Sequence, residues 1–283
     1  MKSNNSRLVM LLGWLALLGA MGLFCLQAGY FLIHHRYQVE YVDNRLFYFI
    51  NILAVILLLI SLLLFLRLSG KVRGLIIGIV VVFIIVNVAL MQLSQQHIQN
   101  IISLSPNLEN TLVIKQDQEQ REAIYYRTQY YLFARPHQRL PKQAESQYKI
   151  DWLTEDVVAV TYQTMTDSIE QFVGTYGDRG DGISYYEVGV QIQGEWAGEE
   201  THVNVGSEGI QIDYQQQSEW FEWNDVVQFG TLAIVLSNQD GPAWTIVLNE
   251  GYQIYDAENN PPEGEITLYQ VTMEEHPPII LKR

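Results

Sequence analysis

Three long apolar runs fill the first third of the chain, and short alternating stretches follow them. The first run, Leu8–Ile33, has Gln27 as its most polar member. The second, Leu46–Leu66, is broken only by Asn51 and Ser61, and the third, Leu75–Leu93, by Asn87 and Gln92. Each is close to the ~20 residues a helix needs to cross about 30 Å of hydrocarbon. None offers a polar face to water, which an amphipathic helix on a soluble core would need. The first run exceeds the roughly 7–15 apolar residues of a secretory signal and ends without a small-residue cleavage pattern, so it reads as a retained helix. The pattern gives a flank at 1–7, helices at 8–33, 46–66 and 75–93, connections at 34–45 and 67–74, a stalk at 94–105 and a β-rich region at 106–283. Ile98, Ile101 and Ile102 continue the helical spacing of the third run, so the stalk is expected to stay helical until Ser105-Pro106-Asn107.

Beyond the stalk, runs rich in Val, Ile, Tyr, Phe, Trp and Thr alternate with Gly, Asn, Asp and Pro clusters, the signature of short strands. "AIYYRTQYYLFA", "SYYEVGVQI" and "VVQFGTLAIVLS" each read as one strand. "FARPHQRLPK" does not, because Pro136 and Pro141 remove ladder donors. "WLTEDVVAV" (152–160) and "WNDVVQF" (223–229) share Trp, Asp and Val-Val at similar spacing, which is expected to be common hairpin chemistry or a duplication. The fold class expected is a membrane α segment of three transmembrane helices plus a C-terminal all-β, mainly antiparallel extracytoplasmic domain.

Charge sorts with hydropathy. Through Asn100 there are 7 basic and 2 acidic residues, and from Ile101 onward 10 basic and 29 acidic, within a net charge of −14. Lys2, Arg7, Arg67, Lys71 and Arg73 flank one side of the spans, against Arg36 and Arg45 on the other. The positive-inside bias therefore predicts a cytoplasmic N-terminus and an external C-terminal region. Tyr30, Tyr37, Tyr41 and Tyr48 ring the outer interface as an aromatic belt would. Cys25 is the sole cysteine, so the β region has no disulfides, which favours a bacterial envelope protein over a secreted eukaryotic domain.

Candidate chemistry is sparse. Gln27, Asn51 and Asn87 fall at one depth below the outer surface, where amides hydrogen-bond between helices. No charged residue interrupts the spans, which argues against a proton relay. Arg135, Arg139 and Lys142 form a basic patch near the stalk, suited to anionic lipid or to neighbouring acids. Asp178, Asp181 and Glu187 are the only metal candidates in "GTYGDRGDGISYYEVG". A calcium-hand register places Gly177 and Val188 where acids are required, and a tight turn is the better reading. No zinc signature, phosphate loop, dinucleotide fingerprint or nucleophile elbow occurs, and no cofactor is expected. From Ile150 to Leu281 Arg179 is the single basic residue among 24 acids. That imbalance excludes nucleic acid as a partner and favours a cationic ligand. The partners expected are the lipid bilayer, a membrane protein or second copy, and such a cation. The leading expectation is an acidic binding or sensing domain, acting as accessory subunit of an envelope complex. The alternatives are an envelope hydrolase using paired acids and an immunity-type protein that captures cationic peptides.

Overall fold

The computed structural model describes residues 2–177, 186–254 and 264–283. The chain forms two compact units, one of residues 1–102, 113–120 and 124–138, the other of residues 103–112, 121–123 and 139–283.

The first unit is built on three helices, α1 (Lys2–Tyr37), α2 (Arg45–Phe65) and α3 (Gly70–His97). Each is long and apolar enough to cross a membrane. Large side chains such as Leu18, Phe31, Leu75, Val82 and Ile85 are exposed, as lipid-facing residues are and water-facing ones are not. α1 and α2 pack against each other, and small residues are buried on both: Ala16 and Ala20 on α1, Ala54 and Ser61 on α2. A Cβ at Gly13 would stand 2.9 Å from the Phe65 ring. Without a hydrophobic drive between helices, such close approach supplies the packing.

The helix connection contributes a strand of its own. β1 (Glu40–Tyr41) pairs antiparallel with β5 (Phe133–Arg139), Glu40 opposite Ala134 and Tyr41 opposite Phe133. With β2 (Ile98–Leu104), β3 (Thr111–Asp117) and β4 (Ala123–Gln129) this makes a sheet in the order β1-β5-β4-β3-β2. Three expectations are corrected here. The helix stops at His97, and the β-branched Ile98–Ile102 stretch becomes strand β2. "AIYYRTQYYLFA" is two strands, with a turn at Tyr130–Leu132. β5 runs through Pro136, since β1 covers β5 only at Phe133 and Ala134 and a missing N–H on an uncovered edge is tolerated.

Lys115 on β3 is the polar centre of this unit. Its ammonium donates to Glu40 Oε2 at 2.7 Å, the Tyr41 carbonyl at 2.7 Å and Asn44 Oδ1 at 2.6 Å. It also lies 4.9 Å from the Tyr126 ring centroid. The Lys115 side chain is 4% exposed and that of Glu40 29%. Burial holds the Lys115 ammonium below the usual lysine range, against the pull of the Glu40 carboxylate. All three donors are satisfied, so the charge is tolerated.

The second unit is all-β apart from short turns. β6 (Ala144–Trp152), β7 (Val157–Thr164) and β8 (Ile169–Thr175) form an antiparallel meander. A larger antiparallel sheet follows: β9 (Gly194–Gly198), β10 (Thr201–Val205), β11 (Gly209–Tyr214), β12 (Gln217–Glu222), β13 (Val226–Phe229), β14 (Ala233–Asn238), β15 (Gly241–Leu248), β16 (Glu265–Gln270) and β17 (Ile279–Lys282). Its order is β12-β11-β10-β9-β17-β16-β15-β14-β13. The sheet curls into a near-barrel whose two free edges, β12 and β13, are joined by a 3₁₀ turn at Trp223–Asp225. Strand alternation feeds one interior: Trp196, Val203, Ile212, Phe221, Ile234, Trp244, Ile246 and Leu268 pack in a single cluster. A barrel this narrow is filled by its own side chains. Val188–Gln191, read as strand from sequence, is instead a helical turn, α4, with Val188 fully buried. "VVQFGTLAIVLS" splits into β13 and β14 at Gly230, whose φ of 56° only glycine adopts freely. The Arg283 guanidinium lies 5.0 Å over the Trp196 ring and donates to the Gln193 carbonyl.

Val157 on β7 and Val173 on β8 pack on the back of β13–β15 against Leu232, Val235 and Val247. Gln171 crosses this layer, donating to Thr161 and accepting from Thr245. Lys149 pins the segment before β17 by donating to the carbonyls of Thr272 and Glu274. The two Trp-Asp-Val-Val stretches are not one repeated unit. The first turns a paired hairpin, β6 to β7, and the second joins two free edges.

Candidate functional site

A cavity of about 490 Å³ lies between α4, the β10–β11 turn and the Trp223–Asp225 turn that leads into β13. Its lining includes Glu187, Val190, Ser207, Trp223, Val226 and Ile234. The wall depends on Gly189, where a Cβ would come within 2.5 Å of the Trp223 ring, so a larger residue would push the indole away. Trp223 Nε1 donates to the carbonyls of Gly206 at 3.2 Å and Ser207 at 3.1 Å, which fixes the ring against the β10–β11 turn.

Two glutamines hold the frame. Gln228 Oε1 accepts from the Val188 amide at 2.9 Å, and its Nε2 donates to the carbonyls of Tyr186 at 3.0 Å and Gly230 at 2.8 Å. Gln193 Nε2 donates to the Gly189 carbonyl at 3.3 Å. These amides and the indole N–H are therefore engaged with backbone. What remains for a guest is the Trp223 ring, the aliphatic Val190, Val226 and Ile234, and the Glu187 carboxylate, which has no partner among the described residues. Exposed Glu208, Glu222 and Asp225 adjoin the lining residues in sequence. The volume suits a small organic molecule, and an aromatic wall beside the Glu187 carboxylate favours a cation.

The residues singled out from sequence fall in different places. Gln27 donates to the Phe47 carbonyl at 2.9 Å and accepts from the Tyr41 hydroxyl at 3.2 Å. Asn87 donates back to Phe83 in its own helix at 3.0 Å, and Asn51 is half-buried. No hydrogen bond joins the three amides. Arg135 donates to the Tyr37 carbonyl at the end of α1 at 3.1 Å. Arg139 pairs with Glu122 at 2.9 Å and Lys142 with Glu170 at 2.5 Å. Asp178 and Asp181 lie outside the described residues, and Glu187 lines the cavity. Among the described residues no three His, Cys, Asp or Glu side chains are grouped to hold a metal.

Among the described residues three carboxyls sit below the usual range. Burial would raise Asp43, but the hydrogen bonds and charge of Arg45 outweigh it. Asp117 is lowered by the backbone N–H groups of Gln120 and Glu119. Asp213 is lowered by the Ser218 hydroxyl and then the Gln211 amide. A general acid needs the opposite displacement.

Sequence reasoning missed both the cavity and the Lys115 cluster. The only signal for the cluster was a lone lysine inside the apolar "TLVIKQ". For the cavity there was none, because its parts are spread from residue 187 to residue 234. Comparison with protein families, with characterised proteins and with solved structures finds no match.

Proposed function

We propose that the chain is a multi-pass membrane protein whose acidic C-terminal β region lies outside the cytoplasm and binds a small organic cation beside Trp223. The observation that carries this reading is the 490 Å³ cavity, walled by an indole and bearing the Glu187 carboxylate. The acidic surroundings, with Arg179 alone against 24 acids over 150–281, raise the local concentration of cations. The orientation rests on the positive-inside bias. It is strengthened by the pairing of Arg45 with Asp43 at 2.6 Å, which neutralises one of the two basic residues on the outer connection. With no output domain on the cytoplasmic connections, the protein passes any signal through a membrane partner, as an accessory subunit would.

Binding is tested on the full chain in lipid nanodiscs by intrinsic tryptophan fluorescence, with choline, its neutral isostere 3,3-dimethylbutanol, and spermidine as probes. A saturable response to a cation is expected, ~5–30-fold tighter than to the neutral isostere. It should be lost in Val190→Arg, which places a charge at an exposed lining position. Equal response to charged and neutral probes, no response to any, or an unchanged response in Val190→Arg would refute the reading. Protease treatment of intact cells tests the orientation separately, and a protected C-terminal region would overturn it.

A further inference from the structure

The turn between β4 and β5 places Tyr130 and Tyr131 in successive left-handed conformations, with φ of 53° and 60°. This is the backbone that turn chemistry reserves for Asn-Gly, because Cβ-bearing residues avoid it. The rings gain nothing inside the molecule. Tyr130 is 88% and Tyr131 87% exposed, and neither side chain makes a hydrogen bond or ring contact among the described residues. Leu132 beside them is also exposed. The β11–β12 turn provides an internal contrast. It has the same backbone at Gln215 and Gln216, with φ of 47° and 65°, and there the tip carries solvated amides.

The aromatic tip differs in where it is held. The Val42 amide donates to the Leu132 carbonyl at 2.9 Å, and Tyr41 is registered with Phe133. Val42 stands just before α2 begins at Arg45. On the other side, Arg135 reaches the last carbonyls of α1 at Tyr37. The tip is therefore fixed beside the ends of two membrane-crossing helices, where Tyr37 is also exposed. Exposed Arg127 on β4 and Arg135 on β5 flank it. Amphipathic rings with adjacent cations are the chemistry of the headgroup layer, where tyrosine keeps its hydroxyl wet and its ring in the acyl boundary.

We infer that Tyr130-Tyr131-Leu132 is a membrane-interface anchor that seats the β4–β5 hairpin in the lipid headgroup layer. The anchor rests on the reading of α1–α3 as membrane spans, and the test separates the two. The full chain, carrying Cys25→Ser, is reconstituted into vesicles of phosphatidylcholine and phosphatidylglycerol and spin-labelled at one introduced cysteine. The sites are Gln129→Cys beside the tip, Gln217→Cys on the barrel and Val82→Cys on α3. Collision with oxygen, which concentrates in lipid, is compared with collision with a water-soluble nickel chelate.

Position 82 should be deep in lipid, position 217 in water, and position 129 several-fold less accessible to nickel than 217. In Tyr130→Asn/Tyr131→Gly, which suits the turn better, the β structure should persist while nickel accessibility at 129 rises to within about twofold of 217. A lipid-facing 82 with 129 as wet as 217 overturns the anchor alone. Water at both 82 and 129 overturns the anchor together with the spans. Protection at 129 that survives the double substitution removes the tyrosines from the role. The label at 129 with both tyrosines present decides the placement even if the double variant does not fold.

Discussion

Replacing Glu40 with Gln should loosen the β1–β5 junction far more than replacing Lys115 with Met, although each removes one member of the same ion pair. The asymmetry follows from burial: the Lys115 side chain is 4% exposed and the Glu40 side chain 29%. Glu40→Gln leaves an ammonium enclosed without its counter-charge. Loss of one partner of a fully buried pair costs about 3–5 kcal/mol, and the partial exposure of Glu40 and the nearby Asp43 reduce this to about 2–3 kcal/mol. Lys115→Met removes the buried charge along with its desolvation. It leaves a carboxylate that water already reaches, plus the Tyr41 carbonyl and Asn44 Oδ1 without their donor, for a net loss of about 1 kcal/mol. The assay is native-state hydrogen exchange of the full chain in nanodiscs, read on peptides covering residues 38–44, where the Val42 amide bonds to Leu132. If these amides exchange by local opening, Glu40→Gln should speed them ~30–150-fold and Lys115→Met ~5-fold. Peptides from β14 to β16 in the other compact unit should not change. A Lys115→Met effect equal to or larger than that of Glu40→Gln would refute the reasoning, because it would mean the hydrogen bonds rather than the enclosed charge set the energetics.

Lys115 also gives a pH dependence. Its folded value is lowered by burial, so between that value and the ordinary lysine value of about 10.4 the unfolded chain holds more protons than the folded one, and stability rises with pH over that window. Melting of the wild type should improve there relative to Lys115→Met, and a decline relative to that variant would contradict the assignment. In the barrel, Gly198→Ala places a Cβ 2.4 Å from the Ile280 carbonyl, which forces β9 away from β17 and costs about 1–3 kcal/mol. Gly206→Ala meets nothing within 4 Å and should stay within about 0.5 kcal/mol of wild type by chemical denaturation. Equal effects of the two would show that the β9–β17 approach is not close.

What could be read from sequence was what is written locally. Hydropathy over 20 residues marks α1, α2 and α3, and alternation marks strands such as β10, where His202 and Asn204 point out and Val203 and Val205 point in. The failures share a cause: tertiary partners supplied what local chemistry lacked. Tyr130-Tyr131 has no turn residue in it, yet the chain reverses there because β5 must pair with both β4 and β1. Val188–Gln191 has strand composition, yet it coils because Val188 and Ile192 are drawn into the barrel interior. Ile98–Ile102 fits either period, and pairing in the sheet decided for strand. Local signals did exist for two features: Gly230 inside an apolar run for the β13–β14 break, and the lone Lys115 for its cluster. The cavity was illegible for a different reason: it needs a glycine opposite a tryptophan 34 residues away, and spacing along the chain carries no trace of that contact.

The short strand β1 has a consequence for how the protein is made. Glu40 and Tyr41 leave the ribosome with α1, but Lys115, which neutralises Glu40, comes 75 residues later, and β5 later still. In the proposed orientation, with the helices inserted in order, the connection between α1 and α2 would cross the bilayer carrying an unpaired carboxylate and free backbone donors, and would wait at the surface until α3 and the strands after it had followed. Completion of the sheet thus reports that all three crossings have been made. A chain stalled before Ala134 would present an open sheet edge beside its apolar helices, the kind of lesion that cellular quality control can recognise.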